Sequence, residues 1–195
     1  MDVFETIRNR RSIRHYKPDP VDEETVRAVL EAAHWAPSWG NMQCWRFIEV
    51  RDPGVKSRIA ATLRKEIVDN EPVENAATEA IKQAPVLIVL VAQVDQAGCL
   101  YDGTPVTDKG NYWYMFDVAL ATENLTLAAY ALGLGTVIVG NFDAARVAEI
   151  LGVPEGFCVV TMTPLGVPDH KGQVSPRKKL SEVHYKEKFS SKKDI

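Results

Sequence analysis

The sequence predicts an α+β fold, with helices flanking one mixed central sheet, and three observations carry that expectation. Helical periodicities outnumber strand patterns and do not alternate with them regularly, which argues against a doubly wound sheet. The run PVLIVLVA at 85–92 is β-branched and apolar on both faces, as a central strand covered on both sides must be. The 195 residues are 46% apolar, enough for one sizeable core, so a single domain over 1–195 is expected, with the tail after about residue 185 peripheral.

The elements follow in chain order. Asp22 is a candidate N-cap with acids in the first turn behind it, and Val26, Val29, Leu30 and Ala33 repeat at helical spacing until Pro37 ends the pattern. After the loop at 37–43, WRFIEV at 45–50 alternates as a strand does. Asp52 followed by Pro53 opens the next helix, a cap before a first-turn proline. The polar stretch 69–82 is expected to be helical and exposed, and 85–92 is the central strand.

Three glycines, a proline and two aspartates make 98–110 a loop. From 111 to 132 the pattern is long, apolar and helical, and Gly133 and Gly135 stop it. Its apolar residues spread around the helix, so it should be buried on more than one side, either by a second subunit or as the central helix of a monomer. TVIV at 136–139 is a short strand, Asp143 caps a helix ending at Gly152, and FCVVTMT at 157–163 is a third apolar strand.

Composition excludes several functions. Twenty-three Lys and Arg against 26 Asp and Glu give a formal charge of −3, so there is no global positive field for nucleic acid or an anionic membrane. No apolar run approaches the roughly 20 residues of a membrane span, and the first ten residues lack a signal-peptide core, so a cytoplasmic protein is expected. Three cysteines at irregular spacing and four histidines never paired at ligand spacing predict neither disulfide framework nor metal.

Against that acidic background RRSIRHY, at 10–16, concentrates positive charge. In an extended segment Arg10, Ser12 and Arg14 share one face, and guanidinium forks with a hydroxyl suit phosphate oxygens. Alternatively the segment is a solvated basic turn. APSWGNMQCW, at 36–45, mixes turn residues, two indoles and amides, suited to one face of a flat heteroaromatic ligand or simply to a helix-to-strand loop. RKKL, at 177–180, is by itself a basic tail. Together, two separated cationic segments and an aromatic loop could hold one phosphorylated planar cofactor.

In their order and spacing these motifs, with GLGT at 133–136 after the long helix, resemble the FMN-dependent nitroreductase family from Arg10 to about Leu180. The resemblance implies a nitroreductase-like fold and an intertwined homodimer with FMN at the subunit interface. It implies NAD(P)H as electron donor, hydride passage through flavin N5, and nitroaromatic, quinone or similar planar acceptors served by a ping-pong mechanism. Carried over by position, Arg10 and Ser12, in a run that also supplies Arg11, correspond to ligands of the FMN phosphate and ribityl chain, joined by Arg177 and Lys179. Arg14 is similar to the basic residue near the flavin N1–C2 carbonyl, where a fixed cation favours the reduced, anionic ring.

Pro37, Ser38 and Trp39 match the loop against the isoalloxazine, with Asn41 ordering that loop or touching the flavin edge. The backbone of Val137, Ile138, Val139 and Gly140 corresponds to the strand end facing the flavin. No protein side chain is assigned the chemistry itself, since flavin carries it. Trp39, Tyr101, Trp113 and Phe116 could line the acceptor face or simply pack. The sequence departs from the family at Cys44, where proline is usual, at 77–82, which lacks an Asn and Lys pair for the pyrimidine, and at Val139, acidic in some relatives. The first two departures leave open an FMN-binding redox sensor or flavin store with little turnover.

Overall fold

The structure, a computed structural model, describes residues 2–189; the end of the tail expected to be peripheral, 190–195, lies outside the described residues. Helix α1 (Val3–Asn9) is followed by an extended segment, then α2 (Glu23–His34), β1 (Trp45–Val50) and α3 (Pro53–Ala60). A hairpin of β2 (Glu66–Val68) and β3 (Glu71–Val73) leads to α4 (Ala77–Gln83) and β4 (Val86–Gln93). The chain closes with α5 (Trp113–Ala131), β5 (Gly135–Thr136), α6 (Ala144–Leu151) and β6 (Phe157–Gly166).

The α+β class is as expected, and the central sheet runs β1-β4-β6-β5. Its named strands pair antiparallel, and the mixed character expected of it is limited to a single parallel bridge between Ser12 and Thr136. The two-faced apolar pattern of β4 does what it predicts. Leu87, Val89 and Val91 face a layer of α3, α4 and α6, through Ile59, Ile81 and Val147. Val86, Ile88 and Leu90 face α2 and α5, through Val29, Val118 and Leu125. The sheet is thus the middle of three layers, and every residue of 86–92 is buried.

Two further expectations are corrected, and one helix is added. The stretch 69–82 is helical only in α4; before it stands the exposed hairpin, turning at Asp69 and Asn70 with φ of 51° and 66°. Those two residue types tolerate the left-handed region that a tight hairpin turn demands, and this outweighs local helical preference. The strand expected at 136–139 is paired only at Gly135–Thr136, then makes one further bridge, Val139 to Met162. The Thr136 carbonyl is taken instead by the Ile13 N–H at 2.8 Å. Helix α1, which the sequence pattern does not disclose, is started by Asp2, whose carboxylate accepts the Phe4 N–H at 3.2 Å.

Candidate functional site

The N-terminal basic segment is shaped by what it buries. Beyond α1 the chain is extended, and Ile13 and Tyr16 insert into the core at 5% and 7% exposure. Ser12 and Arg14, on either side of Ile13, stay exposed, and Arg10 is half-buried before them. The bond from Ile13 to Thr136 fixes one side of the segment. On the other, Lys17 N–H donates to the Val167 carbonyl at 2.9 Å and Tyr16 bridges Pro168, so the chain leaving β6 runs back alongside the N-terminal segment. It passes so close at Gly172 that a Cβ there would lie 2.5 Å from Cβ of Arg11; only glycine fits.

This pairing brings the two ends of the chain into one cleft of about 810 Å³. Arg8, Arg10, Arg11, Ser12, Arg14 and His15 line it from one side, and His170, Gln173, Ser175 and Arg177 from the other. Among the described residues no carboxylate lines it. Among the described residues none of Arg10, Arg14 and Arg177 is ion-paired. Arg11 is committed otherwise: its Nη1 donates to the carbonyls of Arg8 at 2.6 Å and Arg10 at 2.7 Å, closing the C-terminal end of α1. The cleft therefore holds unneutralised guanidiniums with hydroxyl and imidazole groups between them, a donor set for phosphate or another polyanion.

Pro37, Ser38, Trp39 and Asn41 do not line this cleft. They form a compact turn whose Gly40 and Asn41 have φ of 52° and 56°, with Gln43 at 50° just beyond. The Gln43 N–H donates to Ser38 Oγ at 3.0 Å, and the Asn41 N–H to the Ser38 carbonyl at 3.1 Å. Their anchor is Asp117, in α5. This residue is 1% exposed, and its carboxylate accepts the Trp39 N–H on both oxygens, at 3.1 and 3.2 Å, and the Cys44 thiol at 3.6 Å.

Burial raises the Asp117 pKa, partly offset by those two donors. Burial and the neighbouring Asp117 charge push the Cys44 thiol up to about 12. Cys44 is therefore a buried donor in which burial and a carboxylate outweigh the smaller pull of Arg46, the reverse of a reactive thiol's surroundings.

Trp39 also contacts Trp113, ring centroids 4.9 Å apart, and Trp113 meets Phe116 edge-on at 5.4 Å. Three of the four aromatic candidates thus cluster, whereas Tyr101 stands exposed in the preceding loop. Val137 and Val139 turn their side chains into the core, and Ile138 and Gly140 are exposed. Lys179 is exposed outside the cleft, its N–H donating to the Glu182 carboxylate at 2.8 Å. Asp117 and the cleft residues His15, His170, Gln173 and Ser175 are not among the residues that the sequence singles out. For Asp117 a signal existed, a single acid among the apolar residues of 115–121.

Fold and cleft define an α+β protein that gathers unpaired arginines from both ends of its chain. Residues 7–167 match the model of the Nitroreductase family, and the chain belongs to that family. It is 31% identical to an NADH dehydrogenase of Thermus thermophilus, over 94% of this chain and 95% of that one. It is also 31% identical to a 5,6-dimethylbenzimidazole synthase of Rhodospirillum rubrum, over 88% and 84%. A Desulfovibrio desulfuricans protein solved in complex with FMN superposes with a TM-score of 0.77 at 28% identity, over 97% of this chain and 99% of that one. No helix among the described residues is long and apolar enough to cross a membrane.

Proposed function

We propose that the protein is an FMN-dependent oxidoreductase that takes electrons from NAD(P)H and delivers them to planar acceptors such as quinones and nitroaromatics. The observation that carries this reading is the meeting of Arg10, Ser12 and Arg14 with Arg177 in a cleft that no carboxylate lines among the described residues. The donor set fits the ligand: a phosphate needs guanidinium forks and a hydroxyl, and an acidic protein needs a reason to leave three arginines unpaired. Arg10, Ser12 and Arg177 hold the phosphate and ribityl chain, and Arg14 the pyrimidine side of the ring. When bound, FMN supplies reversible hydride acceptance, chemistry that no side chain of this site provides.

The remaining residues orient and exclude. Pro37, Ser38, Trp39 and Asn41 form a rigid turn suited to cover one face of a flat ring, and the backbone at Val137, Ile138, Val139 and Gly140 presents an exposed edge. These groups do not share a cleft with the arginines within one subunit, and a second copy of the chain completes the site. The exposed apolar residues Val3, Phe4 and Ile7 of α1 and Met115 and Phe116 of α5 supply the surface such a copy would bury. A fixed cation at Arg14 favours a reduced, anionic ring, so Arg14→Ala should lower the potential of the bound flavin. Donor and acceptor use one face in turn, giving parallel initial-rate lines.

The test is the absorption spectrum of the purified protein before and after anaerobic NADH or NADPH. A yellow protein that bleaches on donor addition and recovers with a quinone supports the proposal. A colourless protein that takes up no FMN overturns it. A yellow protein that neither donor bleaches is the low-turnover flavin protein instead.

A further inference from the structure

We propose that Asp117 is a positioning residue for the acceptor face, fixing the Trp39 turn to α5 so that Trp39 and Trp113 stand as one aromatic wall. The inference rests on the oxidoreductase reading above for what that wall serves. Its structural basis is independent of it. Asp117 is a carboxylate at 1% exposure with no cation among its partners, an expensive group to keep in an apolar layer. Its immediate neighbours along the buried face of α5 are Val118 and Ala121, so packing alone would favour an apolar residue.

What the carboxylate does instead is reach across the fold. Both oxygens accept the Trp39 N–H, a group 78 residues away in sequence, and the second also accepts the Cys44 thiol from the other end of the same turn. The turn between those two contacts runs through left-handed backbone at Gly40, Asn41 and Gln43, a path that needs outside support. On the same helix, one turn before Asp117, Trp113 places its ring 4.9 Å from that of Trp39. One side chain therefore sets the register between the turn and the helix, and with it the spacing of the two indoles.

Hydrogen exchange at the Trp39 amide of the full chain reads the contact directly, with or without flavin, alongside KM and kcat for a quinone acceptor. In Asp117→Leu, which removes the acceptor but fills the space, exchange at Trp39 should rise about ten- to hundredfold, the worth of a charge-assisted bond. At saturating FMN, KM for the quinone should rise while kcat holds. Asp117→Asn keeps an oxygen facing the Trp39 N–H and should restore both exchange and KM to within about threefold of the parent.

Unchanged exchange in a folded Asp117→Leu overturns the proposal. So does an Asp117→Asn protein with exchange or KM shifted like the leucine variant, a criterion that stands even if Asp117→Leu does not fold. Because exchange needs no cofactor, a failure of FMN binding is seen separately from a failure of the Asp117 contact.

Discussion

The backbone N–H of Trp39 is bonded to both oxygens of Asp117, joining the turn after α2 to the buried face of α5. Because burial raises the Asp117 pKa, the folded chain keeps a proton there at pH values where the unfolded chain has already lost it. Stability then falls as pH rises from the ordinary carboxyl range through the raised folded value, by about 1.4 kcal/mol for every tenfold difference in proton affinity between the two states. Asp117→Asn cannot titrate. Its unfolding free energy should therefore gain on the parent in urea titrations as pH rises out of the ordinary carboxyl range, and parallel profiles would refute the role given to burial.

Cys44, the residue before β1, is a donor to Asp117, and its thiol is pushed up to about 12 by burial and by that carboxylate. Iodoacetamide at about pH 8 should label Cys44 in the native protein at least about a hundredfold more slowly than in the unfolded chain, as peptide mass mapping can follow. Rapid native labelling at Cys44 would mean that the residue is a redox or nucleophilic group after all.

Arg177 lines the cleft and Lys179 does not. Arg177→Gln should raise the Kd for FMN about ten- to hundredfold, the loss of one charge-assisted phosphate contact, while the Kd for riboflavin stays put. Lys179→Gln should change neither by more than about twofold. Flavin fluorescence quenching measures all four constants. An equal effect on FMN and riboflavin would move Arg177 away from the phosphate.

The parts of this fold that the sequence discloses are those decided by neighbours in the chain. Asp22, Asp52 and Asp143 each accept the N–H of the third residue on, at 2.7, 2.8 and 3.0 Å, and Gly152 ends α6 with φ of 66°. Those caps, and the apolar run of β4, are local facts. The corrected features are decided elsewhere. The segment after Thr136 leaves the sheet because Ile13, more than a hundred residues earlier, takes its carbonyl. Asp117 is invisible as an anchor because its donors lie 78 and 73 residues away. The basic segments stand between these cases, since residue type disclosed their chemistry but only the pairing of the two chain ends shows that they meet.

Gly98 offers the sharpest separation of backbone from side-chain cost in the loop before α5. It has φ of +74°, and a Cβ there would lie 2.2 Å from Cδ1 of Trp113, a ring also held by the bond from its Nε1 to Thr107 Oγ1 at 2.8 Å. Gly133 has a similar φ of +79° with nothing near a Cβ. Both alanine variants carry the left-handed penalty of about 1–2 kcal/mol. Only Gly98→Ala must also displace the indole, adding about 1–3 kcal/mol of overpacking. Urea unfolding should therefore place Gly98→Ala below Gly133→Ala by that second amount, with altered tryptophan fluorescence in Gly98→Ala alone. Equal destabilisation would show that Trp113 yields freely, and a ring that yields freely cannot serve with Trp39 as a fixed wall.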